Sequence, residues 1–218
     1  ALEHGTGSWA VRLLLVGLLV TPLRHLADWQ RAVLLRRMLG LAALGYALAH
    51  LLLYVAVEHF RFLHVAGEIL RRPYLTVGFA TLLVLVVLGV TSTDRALRRM
   101  GARWKALHRL VFPATALALV HFFLQSKVDV SEAVLCAGLF LWLAGWRQLP
   151  AALRARPVAL LGLAAAAALL TAALEYGWYA LFTGVPARRV LLANLDVAFG
   201  PRPAVWVGIA GLGAALLP

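Results

Sequence analysis

The chain is short of cysteine, of acids and of charge altogether. Its single thiol, Cys136, sits inside the apolar run AVLCAGLFLWL. One cysteine can form neither an internal disulfide nor a multi-thiolate metal site, so a packing role is expected. No CxxCH occurs, which excludes a covalently attached haem of the c type. No phosphate-cradling loop or nucleotide motif is present, so direct use of a nicotinamide donor would need another protein. Only 14% of the residues are charged, against about 25% in a soluble domain. That leaves too little polar surface to cover a water-exposed exterior, and it excludes both a soluble enzyme and a disordered chain. Strands of alternating polarity about ten residues long are also missing, which argues against a membrane β-barrel. No signal peptide with a basic leading segment is visible, and the first residue is Ala1.

What the chain has is apolar length. Of 218 residues, 63% are hydrophobic, and the mean hydropathy is +0.86. Apolar runs fall at about 9–23, 38–57, 74–91, 108–125, 132–146 and 157–175, with a weaker Gly-rich candidate at 204–217. A helix needs about 20 such residues to cross the hydrocarbon layer. Unpaired backbone polar groups are not tolerated in lipid, so these runs should be helices. The expected fold is an all-α, polytopic transmembrane bundle of about six helices. Residues 1–176 form the main domain and 177–218 a C-terminal extension with an extra candidate membrane segment.

The net charge of +12 is unevenly spread. Arg24, Arg31, Arg36, Arg37, Arg95, Arg98, Arg99, Arg103, Lys105, Arg109, Arg147, Arg154 and Arg156 share one side with only Asp28 and Asp94. Thirteen bases against two acids make that side +11 and leave +1 for the other. The positive-inside rule places the +11 side in the cytoplasm. The basic excess is thus a topology signal, and nucleic acid is not an expected partner. The second and fourth runs then both travel outward from the cytoplasm.

Two of the seven histidines lie deep in those two runs: His50 in GYALAHLLLYV and His121 in ALALVHFFLQ. Ionisable groups inside a membrane are costly and point to function, although a neutral histidine bonded to a neighbouring helix is the simple competitor. At 1.5 Å per residue both rings sit roughly 16–18 Å from the cytoplasmic boundary. Two imidazoles at one depth on parallel helices can supply both axial ligands of a b-type haem. Small residues before His50 (Gly40, Ala42, Ala43, Gly45, Ala47) would admit a flat macrocycle. His108 lies 13 residues before His121 and Arg36 lies 14 before His50. His108 is therefore a candidate ligand of a second, cytoplasmic haem, with Arg36 or Arg37 opposite it or on its propionates. The competing reading is an interfacial histidine among topology-setting arginines. Arg71 and Arg72 are candidates for propionate pairing or docking at the outer face, against plain loop solvation. Zinc is a weaker metal candidate, because no carboxylate or cysteine joins the deep histidines. A proton path is disfavoured because the acids are expected outside the membrane core. Six tryptophans (Trp9, Trp29, Trp104, Trp142, Trp146, Trp178) fall near span ends, as an aromatic belt expects. Thr91, Ser92, Thr93 and Asp94 read as helix-end caps.

At these residues the chain resembles a known family. LRRMLGLAALGYALAHLLLYV, RRPYLTVGFATLLVLVVLGVTST, WKALHRLVF and VHFFLQSK carry the combination RRxLGL, deep His, RPY, TST, WxxLHR and HFxxxxK. Over about residues 3–150 this is similar to MsrQ, the haem-binding membrane subunits of protein-methionine-sulfoxide reductase systems, within the ferric reductase-like transmembrane superfamily. The resemblance implies one or two b-type haems with His50, His108 and His121 as ligand positions, and it implies an association with FMN. It further implies a bacterial inner (plasma) membrane location, a cytosolic flavin reductase or the quinone pool as donor, and a periplasmic molybdenum-cofactor reductase as acceptor. Typical members carry one more span before the segment that starts here, and the residues after about 176 depart from the family pattern. The chain itself is then an electron-transfer subunit with no substrate chemistry of its own. The alternatives are a stand-alone ferric or other metal-ion reductase of the cytochrome b type, and a non-redox transporter or structural membrane subunit.

Overall fold

Three prolines mark where helices begin. Arg72, Arg156 and Arg202 are extended, as residues before proline tend to be, and Pro73, Pro157 and Pro203 each occupy the first helical turn. The computed structural model describes residues 2–127, 129–196, 198 and 200–217, with side chains from residue 5 onward. Its helices are α1 (Leu2–Leu26), α2 (Leu35–Val57), α3 (Phe62–Arg71), α4 (Pro73–Val90), α5 (Asp94–Met100), α6 (Ala102–His108), α7 (Val111–Gln125), α8 (Ser131–Gln148), α9 (Pro157–Phe182), α10 (Ala187–Leu192) and α11 (Pro203–Ala215). Short 3-10 turns occur at 30–34, 151–153 and 193–195, and no strand occurs among the described residues. The fold is an all-α, polytopic helical bundle.

Five stretches are long and apolar enough to cross a membrane: Gly5–Leu26, Gln30–Val57, Pro73–Val90, Ala102–Gln125 and Pro157–Phe182. The expected fifth run is helix α8, but it buries eight positions, among them Trp142 and Trp146. Those two rings are therefore core rather than belt. The Trp146 N–H donates to the Arg154 carbonyl at 3.1 Å, and Arg154 in turn caps the carbonyls of Leu149 and Arg147 beyond and at the end of α8. The 204–217 candidate is α11, whose 13 residues span roughly 20 Å, too short to cross.

The chain divides into two compact units. The first comprises Ala1–Leu18 and Leu34–Gln125, and the second Leu19–Val33 and Ser126–Pro218. In the first, α4 packs against α2, α3 and α7. Its buried stripe is Thr81, Leu82, Leu85 and Leu88, and α7 answers with Ala114, Thr115, Ala118, Leu119 and Phe123. Small residues at this seam bring the backbones close. Helix α2 buries only Ala43 and Val55 and leaves the rest of its apolar surface outward. The expected cytoplasmic loop is folded. Thr93 caps α5 by accepting the Ala96 N–H at 3.1 Å, Asp94 pairs with Arg37 at 2.9 Å, and Gly101 at φ +53° makes the joint to α6.

In the second unit α8, α9 and α11 pack on one another. Gly211 of α11 lies so close to α9 that a Cβ there would stand 3.0 Å from the Ala164 Cα. The sequence reading ends the sixth span at the first charge, Glu175, and places every acid outside the membrane core. Helix α9 instead continues to Phe182, and Glu175 is 1% exposed inside it. The reason is a partner: Arg202, at the head of α11, donates to both carboxylate oxygens at 2.6 and 3.3 Å. A paired, hydrogen-bonded carboxylate can stay ionised where an isolated one cannot.

Candidate functional site

Within the first unit, α2 and α7 each carry one histidine into the same cavity. The ring centres of His50 and His121 are 6.2 Å apart, with the planes at 74°. The surrounding wall is mostly apolar: Leu14 from α1, Leu51 from α2, Ile69 from α3, Leu82 and Leu85 from α4, and Ala118 from α7.

One nitrogen of His121 is spoken for. Nδ1 donates to the Tyr74 carbonyl at 2.7 Å. A carbonyl can only accept, so the proton sits on Nδ1 and the lone pair of the neutral ring sits on Nε2. This is the arrangement a metal-binding imidazole adopts, with the far N–H held by a backbone oxygen. Two glycines make room for the rings. A Cβ on Gly78 of α4 would stand 2.8 Å from the His121 ring, and one on Gly7 of α1 would stand 3.2 Å from His50 Nδ1.

The turn from α3 into α4 is braced around Tyr74. Arg72 donates to the Tyr74 hydroxyl at 3.1 Å and forms an ion pair with Glu68. The Thr76 hydroxyl donates to the Ile69 carbonyl at 2.5 Å. The Tyr74 hydrogen bond, followed by the Glu68 charge, raises the pKa of the already cationic Arg72. Arg72 is exposed, at the start of α4.

His108 stands in a different setting. Its ring stacks on Trp104 with centres 3.8 Å apart, and its Nε2 is 3.1 Å from the Thr91 hydroxyl. The Trp104 N–H donates to the Thr91 carbonyl at 2.8 Å, which ties α6 to the end of α4. Arg36 is exposed on the first turn of α2. The structure thus brings His50 and His121 together and gives His108 an aromatic and a hydroxyl neighbour.

The donor set discriminates between metals. Among the described residues no group of three or more His, Cys, Asp or Glu is placed to hold an ion, whereas a structural zinc needs four ligands. Two imidazoles facing an apolar space suit a metal that brings its own equatorial nitrogens, and the bare backbone at Gly7 and Gly78 accommodates rings presented in that way.

Comparison with known proteins fits this donor set. Residues 6–119 match the family described as ferric reductase like transmembrane component. A protein of Xanthomonas axonopodis pv. citri, named protein-methionine-sulfoxide reductase heme-binding subunit MsrQ, is 46% identical over 147 residues, 67% of each chain. The protein of the same name from Rhodospirillum rubrum is 43% identical over 158 residues, 72% of this chain and 76% of its own. The chain belongs to the MsrQ family.

As a member of the MsrQ family and of the wider ferric reductase-like transmembrane family, it is a multi-pass membrane protein. No solved structure matches it. The family segment 6–119 holds His50, His108, Gly7, Tyr74 and Gly78, and ends two residues short of His121. Tyr74, Gly7 and Gly78 escape a sequence reading of an MsrQ chain. The Tyr74 contribution is a backbone atom, and neither glycine departs from the helical pattern around it. The one visible signal is the RPY motif, which marks the first turn of α4, where the Tyr74 carbonyl lies.

Proposed function

We propose that the chain conducts electrons across the membrane through b-type haem, from a cytosolic flavin reductase or the quinone pool to a periplasmic, molybdenum-cofactor methionine sulfoxide reductase. The observation that carries this reading is the His50–His121 pair, with its rings 6.2 Å apart and the His121 N–H fixed on the Tyr74 carbonyl. Haem bound by His50 and His121 would supply a one-electron centre with no open position for substrate. The protein does the rest. His50 and His121 hold the group, the Tyr74 carbonyl keeps the proton on Nδ1 of His121, and the leucine-rich wall keeps water away. Arg72 offers a cation to the propionates at the outer start of α4. His108, with Arg36 or Arg37, is the site of a second haem nearer the cytoplasm. The strongly basic side then faces the donor, and the membrane is the bacterial inner membrane.

Purified protein tests the reading directly. The dithionite-reduced minus oxidised spectrum is expected to show a b-type α band, and its absence sinks the proposal. His50→Ala and His121→Ala should each abolish the outer haem, and two variants that both keep full low-spin haem would overturn the pairing. Haem counted per chain decides the second site, because His108→Ala lowers that count only if a haem is bound there. Reconstitution with a periplasmic sulfoxide reductase that gains no electrons would remove the acceptor assignment.

A further inference from the structure

Each deep imidazole lies against a glycine of a helix other than its own. The space a Cβ would fill at Gly78 begins 2.8 Å from both Cε1 and Nδ1 of His121, and at Gly7 it begins 3.2 Å from Nδ1 of His50. Contacts under 3.0 Å are not made by real Cβ atoms, so an alanine at 78 must drive the His121 ring aside. The same ring is held by one short hydrogen bond, from Nδ1 to the carbonyl of Tyr74. Tyr74 is four residues before Gly78 on α4, so both groups fall on one face, one turn apart. The bare backbone at 78 therefore lets the ring approach α4 closely enough to reach the carbonyl at 74.

We infer that Gly78, with Gly7 as its weaker counterpart, is a positioning residue that sets the orientation of the axial imidazoles and thereby the electronic character of the redox centre. The inference rests on the haem reading above. Gly78 touches no haem; it acts through His121 by keeping the Nδ1–H on a carbonyl acceptor, which fixes which nitrogen carries the lone pair and raises its basicity. Losing the carbonyl contact weakens that donation and leaves the ring free to rotate.

Other glycines supply controls. In the same helix, the nearest atoms to a Cβ on Gly89 would be leucine side-chain atoms, those of Leu44 and Leu41, and on α9, in the second unit, a Cβ on Gly162 would meet nothing within 4 Å. Gly89→Ala therefore reports crowding in α4 without touching an imidazole, and Gly162→Ala reports a substitution with no steric consequence.

The experiment uses the full-length protein in detergent, with four variants: Gly78→Ala, Gly7→Ala, Gly89→Ala and Gly162→Ala. The readouts are haem affinity by titration, the low-spin electron paramagnetic resonance signals and the midpoint potential. Gly78→Ala should weaken haem binding about tenfold or more, the scale expected when a partner that orients a ligand is lost. It should also move the low-spin signals, partly converting them to high-spin, and raise the potential. Gly7→Ala should shift the same signals less, while Gly89→Ala and Gly162→Ala should leave them in place. If Gly78→Ala does not accumulate as folded protein, the Gly7→Ala signals decide. Unchanged signals and potential in the glycine variant measured, or an equal change in Gly89→Ala, overturn the inference and leave the haem reading standing. A wild-type protein that binds no haem overturns the function itself, and this inference with it.

Discussion

The two units of the chain bury ionisable groups in opposite ways. In the first, His50 and His121 share an apolar cavity, and the bond from His121 to Tyr74 fixes one ring nitrogen while the other keeps its lone pair. In the second, Glu175 is buried to 1% and Arg202 takes both of its oxygens. At His121 the first arrangement spends one ring nitrogen and leaves the other for a ligand. The second spends it on locking α11 to α9. A buried polar group therefore signals a functional site only when some of its valence is left over.

The sharpest way to break this contrast is to exchange readouts. His121→Ala should erase the outer-haem signal with little change in the thermal stability of the haem-free protein, whereas Arg202→Met should do the reverse. Breaking a buried pair from one side leaves an uncompensated charge and costs about 3–5 kcal/mol, so thermal unfolding in detergent should fall well below wild type with the spectrum intact. The double variant Glu175→Leu with Arg202→Met should recover most of that loss. A spectrum that collapses in Arg202→Met would show that the pair serves the redox site after all.

A smaller effect tests the closeness of the second unit. Gly211→Ala places a methyl group 2.5 Å from the Ala164 Cβ and 3.0 Å from its Cα. The backbone atom cannot yield cheaply, and overpacking of this kind costs about 1–3 kcal/mol. Unfolding of the variant should register that loss with haem content unchanged.

The smallest expected effect is electrostatic. Asp129 accepts the Ser131 N–H at 3.0 Å ahead of α8, and that backbone hydrogen bond is the leading cause holding its carboxyl below the ordinary value of 3.8. A carboxyl depressed in the folded state contributes stability above its unfolded pKa and loses that contribution as pH falls through the lower folded value. Asp129→Asn should remove this acid-side dependence. The group is exposed, so the difference at neutral pH should stay under about 1 kcal/mol. An unchanged dependence on pH between 5 and 2 would move the effect to another carboxylate.

Much of the first unit could be read from the chain alone because its helices are uninterrupted. From Leu35 to Val57 and from Val111 to Gln125 the rise per residue converts position into depth, and the structure sets the rings of His50 and His121 side by side. Charge misleads where a partner is distant in sequence. Glu175 looks like a span end until Arg202, 27 residues on, is seen to neutralise it. Trp142 and Trp146 look like belt residues because position along a run does not reveal which face is covered. The segment 62–71 looks like a loop because its histidine, glutamate and arginine interrupt the apolar pattern, yet α3 is an amphipathic helix with Val65 buried and Leu63 and Leu70 exposed. The glycine backing of the imidazoles is invisible for a related reason, since close approach between helices is a property of pairs.

Helix α3 carries one more consequence. Ile69 lines the histidine cavity, while Leu63 and Leu70 on the same helix are 92% and 81% exposed. The cavity is thus shut on that side by a partition a single helix thick, roughly 10 Å with its side chains. The cavity's outer wall on that side is therefore also a surface, and any partner that seats on Leu63 and Leu70 comes within one helix of the histidine pair.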